Sequence, residues 1–247
     1  AVIRTDGWGI MIFQNGTTGG AYNFGTTVNV DGKIYGKESA LWVLGNIHTD
    51  LTSAQNPVTV NVGSTAVMEN DSPGTTALQM AGSCVVTIAD GAQITADTAV
   101  EVRAGRLTVN GGTITGTGTP TTVNSNGNGT STTGVGIAVA QHQTALPITV
   151  IVNGGTISGF TGFYVTNPEN RGNADKVQAT LNGGYFAAIN GGSNAAAKDN
   201  NAEQMQLTIT GGYFTSDPSA YCADGLTGIA SGRADYPFTV GKKADNK

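Results

Sequence analysis

Apolar and polar positions follow one recurring pattern along this chain. In Leu107-Thr108-Val109-Asn110-Gly111-Gly112-Thr113-Ile114 they alternate, the alternation breaks at two glycines, and one bulky apolar residue follows. The unit returns at Val150–Ile157, Ala179–Phe186 and Leu207–Phe214. Alternation turns successive side chains to opposite faces of a strand, so one face can be buried. A glycine pair accepts the positive φ of a sharp turn. Weaker copies run over Val60–Val67, over Val86–Ile94 with one residue inserted, and over Val28–Ile34 with one removed. The predicted inward closing residues are therefore Ile34, Val67, Ile94, Ile114, Ile157, Phe186 and Phe214, spaced 20 to 43 residues apart. One short strand per repeat at a ragged spacing predicts a solenoid with a constant core and loops of variable length.

A second strand recurs as a small residue followed by apolar-x-apolar, at Ala40–Val43, Ala77–Met80, Ala99–Val102, Gly136–Val139 and Gly162–Val165. Asp6–Ile12 matches it too, so the chain is expected to open in the middle of a coil. Two strands plus the residues around the closing position make three short faces per turn. The prediction is an all-β, right-handed parallel β-helix of about seven to eight coils, its strands stacked ~4.8 Å apart. Residues 1–214 would form the coils, and residues 215–247 a cap and tail of the same domain.

Val30, Val62, Ile88, Val109, Val152, Leu181 and Ile209 are expected to stack inward as an aliphatic ladder. Asp31, Asp90, Asn110, Asn153 and Asn182 would stack at one turn, where short polar side chains tolerate unusual backbone geometry. Loops are placed after the second strand at 45–57, 140–147 and 166–176, and before it at 68–76 and 115–134. The last is nearly all Gly, Thr, Ser and Asn, which predicts a mobile surface loop. Residues 187–204 are expected to replace a second strand. Asp217-Pro218-Ser219-Ala220-Tyr221 is a helix start, with Asp at the N-cap and Pro next, leading into a cap on the last coil.

Composition narrows the function. Charged residues are 12% of the chain, against the usual ~25%, and glycine reaches 37 of 247 residues. The net charge is −5 and the 12 Lys and Arg are scattered. Phosphate binding needs a clustered basic face, so no nucleic-acid partner is expected. No apolar run approaches the ~20 residues of a membrane span, and no signal-peptide pattern opens the chain. Cys84 and Cys222 lie among small apolar residues and are predicted to be unpaired buried thiols.

The Asn-Gly-Gly-Thr-Ile units resemble right-handed β-helices of the pectin-lyase-like superfamily. Gly211–Gly225, running Gly-Gly-Tyr-Phe-Thr-Ser-Asp-Pro-Ser-Ala-Tyr-Cys-Ala-Asp-Gly, is similar to an ending common in surface proteins of gut bacteria and in virion proteins of their phages. The resemblance spans about residues 28 to 240 and implies the fold. It also implies what enzymes on this fold would need. Lyases use Ca²⁺ on several carboxylates with an Arg or Lys base. Galacturonases use Asp residues in two short motifs, followed by His-Gly and Arg-Lys. Here Thr49 follows His48, Gln143 follows His142, and no two Asp are adjacent.

The outward columns, Asn29, Asn61, Thr87, Thr108, Ile151, Thr180 and Thr208 on the first strand and Met11, Trp42, Gln79, Glu101, Ala138 and Tyr164 on the second, carry no two carboxylates on neighbouring coils. No catalytic residue, cofactor or metal is predicted. Glu101, Arg103 and Arg106 on one coil could meet Glu169, Arg171 and Asp175 from a loop, and are expected to form surface salt bridges. Recognition is assigned to the loop-bearing corner through His48, Asp50, His142, Glu169, Arg171 and Asp175, because loops vary chemistry without disturbing the core. Trp42 and Tyr164 are the candidate aromatic contacts for sugar rings, with Trp8 and Tyr22 nearer the open end.

The expected function is a non-enzymatic extracellular structural or adhesive module on a bacterial surface, with a surface glycan or protein partner. The alternatives are a phage virion component (a head decoration or fibre protein in capsid contact or self-association) and a carbohydrate-active lyase or hydrolase.

Overall fold

The computed structural model describes residues 1–14, 25–45, 56–125, 129–170 and 172–244. Three parallel sheets wind round a single core. Each coil contributes a strand to sheet C, turns at the Asn-Gly-Gly corner into sheet A, and crosses to sheet B. Gly105–Val109, Thr113–Gly116 and Val135–Ala140 make one such coil, and Ile148–Val152 begins the next. Among the described residues, sheets B and C have seven strands each and sheet A has ten, the last two forming an antiparallel hairpin. The chain is a parallel β-helix.

The register explains the repeat. Val30, Val62, Ile88, Val109, Val152, Leu181 and Ile209 pair rung upon rung in sheet C and are buried. In sheet A, Ile94, Ile114, Ile157, Phe186 and Phe214 continue the ladder, and the two phenylalanines stack at 4.8 Å. The glycine pair is required by stacking as well as by turning. Gly184 sits at φ 107°, and a Cβ there would lie 2.9 Å from the Gly155 carbonyl of the coil before. A Cβ on Gly183 would lie 2.7 Å from the Asn153 carbonyl. The three asparagines of the expected corner ladder do stack: Asn182 donates to Asn153 at 3.1 Å, and Asn153 to Asn110 at 3.0 Å. Asp90 does not join them, because Ala89 takes the place beside Asn110 and Asp90 lies against Gly111.

Four further expectations change. The closing residue of the Val60 copy is Met68, which pairs with Ile34 and Ile94 and is fully buried, whereas Val67 turns outward. The corner there is one residue longer, because Ala66 bonds back to the Gly63 carbonyl and fills the corner from inside, as Ala92 does on the next coil. Residues 187–204 do contain a second strand, Asn194–Lys198, paired with Thr161–Thr166. Its run of three alanines hides the alternation. The helix start at Asp217 closes only one 3-10 turn, Ser219–Tyr221, with Asp217 accepting from the Ser219 amide at 2.9 Å.

The fourth change concerns the 115–134 segment. Its described part forms a small hairpin, Thr122–Val123 with Thr132–Thr133, that lies over sheet B and buries Ser131 and Thr132. At the far end, Phe238–Lys242 pairs antiparallel with Tyr213–Phe214, and Ala223 donates to the Ile209 carbonyl. A free parallel edge would invite another strand, and this cap covers it. No helix among the described residues is long and apolar enough to cross a membrane.

Candidate functional site

The middle of the outward face of sheet B is not a surface. Trp42, Gln79, Glu101 and Ala138 are 8%, 3%, 0% and 0% exposed. Over Glu101 the 131–132 stretch folds back and bonds to it. Sequence alternation assigns these side chains to the outside of the coil correctly, but carries no mark of the roof above.

Glu101 is the centre of that roofed face. Its carboxylate accepts from the Ser131 and Thr132 amides at 3.0 Å, and from the Thr132 hydroxyl at 2.7 Å and the Ser131 hydroxyl at 3.2 Å. Arg103, fully buried on the same strand end, has Nε 3.7 Å from Glu101 Oε1. Its Nη2 donates to Glu169 Oε1, and its Nη1 to the Gly129 carbonyl at 2.5 Å. Burial pushes the Arg103 guanidinium below its ordinary value, while the carboxylates of Glu101 and Glu169 pull it back up. The expected contact between the two coils is therefore made, but it is internal: the Glu169 side chain is 4% exposed. Surface ion pairs contribute little, whereas a buried one is held by the full cost of leaving either partner alone.

The other predicted recognition residues separate into distinct roles. His48, Asp50 and Arg171 lie outside the described residues, as does Tyr22. His142 is 1% exposed, and its Nδ1 accepts from the Thr144 amide at 3.3 Å, shaping the 141–147 loop. That loop is tied to the next by Gln141, which donates to Asn173 at 2.8 Å, and by Asn173, which donates to the Leu146 carbonyl at 3.1 Å. Asp175 is exposed, in the short 3-10 turn Ala174–Lys176. Trp42 is buried against the half-exposed Trp8, with ring centroids 5.9 Å apart. Tyr164 is half-buried, four rungs from Trp42 along the column. Burial, with Asp199 and Tyr221 nearby, pushes its hydroxyl up to about 12. Trp42 and Tyr164 form no common platform.

What the corner does offer to solvent is a polar cleft of about 450 Å³ beside the 167–174 loop. Asn167, Asn170, Asn201, Glu203 and Gln204 give it amide and carboxylate groups. Among the described residues no three of His, Cys, Asp and Glu gather closely enough to hold a metal ion. Cys84 and Cys222 are unpaired, the first buried and the second half-buried. Ser131, Thr132, Gln141 and Asn173 carry no signal in the sequence pattern, since their partners come from other coils and no local spacing marks them. Comparison with protein-family models, with curated proteins and with solved structures finds no match to this chain.

Proposed function

We propose that this β-helix is a non-enzymatic structural or adhesive module displayed outside a bacterial cell. The observation that carries the reading is the state of Glu101. The carboxylate best placed for acid–base work is sealed from solvent, its lone pairs are taken up by Ser131 and Thr132, and the Arg103 guanidinium lies 3.7 Å away as its counter-charge. A general acid or base must reach the proton that it moves, and this group reaches only its own roof. Recognition then falls to the polar cleft at the loop corner, whose amides and carboxylate suit the hydroxyls of a surface glycan. The extracellular setting rests on the resemblance of the Asn-Gly-Gly units to pectin-lyase-like β-helices, and of the Gly211–Gly225 ending to gut-bacterial surface proteins. Because that ending is also similar to phage virion proteins, a head-decoration or fibre protein is the second reading.

The test incubates the protein with pectate, alginate and neutral bacterial glycans. Ultraviolet absorbance of unsaturated uronates, new reducing ends and retained glycan are followed together. Retention without products supports the reading, and steady product formation abolished by Glu101→Gln overturns it.

A further inference from the structure

A second recess lies away from the roofed face, at the corner where the chain enters sheet C. Connection lengths create it. The coils that begin at Val58 and Ile148 are reached through long insertions ending in Pro57 and Pro147. The two coils between them are reached by short links, Ala81–Ser83 and Arg103–Ala104, with the small residues Ser83 and Gly105 at the bend. Bulky corners thus flank two pared-down ones, leaving a notch of about 330 Å³.

The walls of the notch are mostly apolar: Pro57 at one end, Val85 in the middle, and Leu146 and Pro147 at the other. One charge enters it. Arg106 points outward in the same column as Val85 before it and Thr149 after it. It is exposed and makes no side-chain hydrogen bond or ion pair among the described residues. A guanidinium presents a planar fork of donors that matches a carboxylate. Beside it, the Thr149 hydroxyl can donate to the same group.

We propose that this notch binds a small aliphatic monocarboxylate, with its carboxylate on Arg106 and Thr149 and its chain along Val85 towards Pro57. Charge complementarity selects the anion, and the apolar walls select its body. A polypeptide end would bring amide groups needing partners, yet the sheet C strands here are paired on both sides and offer no free edge. A uronate would bring hydroxyls that proline and leucine walls leave unpaired. The notch is independent of the Glu101 roof and of the loop-corner cleft, so its failure leaves the proposed function untouched.

The test is an amide and methyl NMR titration of the whole chain with octanoate, octanamide, galacturonate and N-acetyl-alanyl-leucine. Octanoate is expected to shift Val85, Leu146 and Thr149 saturably. Octanamide should bind about tenfold more weakly, the loss expected for one charge-assisted hydrogen bond. Arg106→Gln, an exposed substitution with no internal contact to lose, should lower octanoate to the octanamide level. Equal binding of octanoate and octanamide, or an unchanged Arg106→Gln titration, overturns anion recognition. Tighter binding of galacturonate or of the dipeptide overturns the aliphatic assignment, and no saturable shift with any probe overturns the site.

Discussion

Replacing Arg103 with Met keeps a long apolar stem in the roofed face and removes its charge. Two carboxylates then lose their cation in unequal ways. Glu101 keeps the amides and hydroxyls of Ser131 and Thr132. Glu169, with a side chain 4% exposed, loses the guanidinium that holds it. The Gly129 carbonyl loses its donor as well. Breaking a buried pair from one side costs about 3–5 kcal/mol, a large part of the ~5–15 kcal/mol available to a typical domain. Urea unfolding should show that loss as a lower midpoint with an unchanged slope.

Adding Glu169→Gln removes the carboxylate that Arg103 pairs with, so the double variant should lose less than the two single losses added together. A loss for Arg103→Met below about 1 kcal/mol, the size of a surface pair, would refute the argument.

Further outcomes follow from the same geometry. Val152→Asp places an unpaired carboxylate in the fully buried ladder between Val109 and Leu181, and should cost several kcal/mol or leave the protein insoluble; an equally stable soluble variant would contradict the register. Gly184→Ala keeps φ near 107° only under strain and drives a Cβ to 2.9 Å from the Gly155 carbonyl, so thermal unfolding should report a loss of about 1–3 kcal/mol. Burial pushes the Cys84 thiol up to about 12, so a thiol reagent at pH 8 should modify at most Cys222 in the folded protein and both cysteines in urea. Replacing residues 167–176 with a glycine-rich turn removes Glu169 from Arg103 and Asn173 from Gln141, so the melting temperature should fall clearly; an unchanged melt would make that loop decorative.

Much of the fold is legible along the chain because a β-helix writes its core locally. Val109 is recognisable as inward from its own neighbours, and the Asn110 corner from the glycines that follow it. The pattern slips where a corner gains a residue, as between Gly63 and Met68, since an added alanine shifts the closing position without breaking the alternation. It also falls silent where side chains are small, as in Asn194–Lys198.

The roof over sheet B is a different kind of information. Glu101 is held by Ser131 and Thr132, about thirty positions on, and by Arg103, which reaches across to Glu169. Nothing near Ser131 distinguishes it from any other residue of a polar loop. The charges in question are identifiable in sequence, but whether they face water depends on loop docking across coils, which no periodicity encodes.

Hydrogen exchange at the Ser131 and Thr132 amides tests the claim that Glu101 pins the roof more directly than any activity assay. Both amides donate to that carboxylate, and both residues are sealed from solvent. If Glu101 and Arg103 hold the loop as structure, these amides should exchange as slowly as those of Val100 and Ile137 in the strands beneath, and should lose protection in Glu101→Gln. Exchange at the rate of a free polar loop in the wild-type protein would mean that the roof opens readily, returning Glu101 to solvent and contradicting the claim.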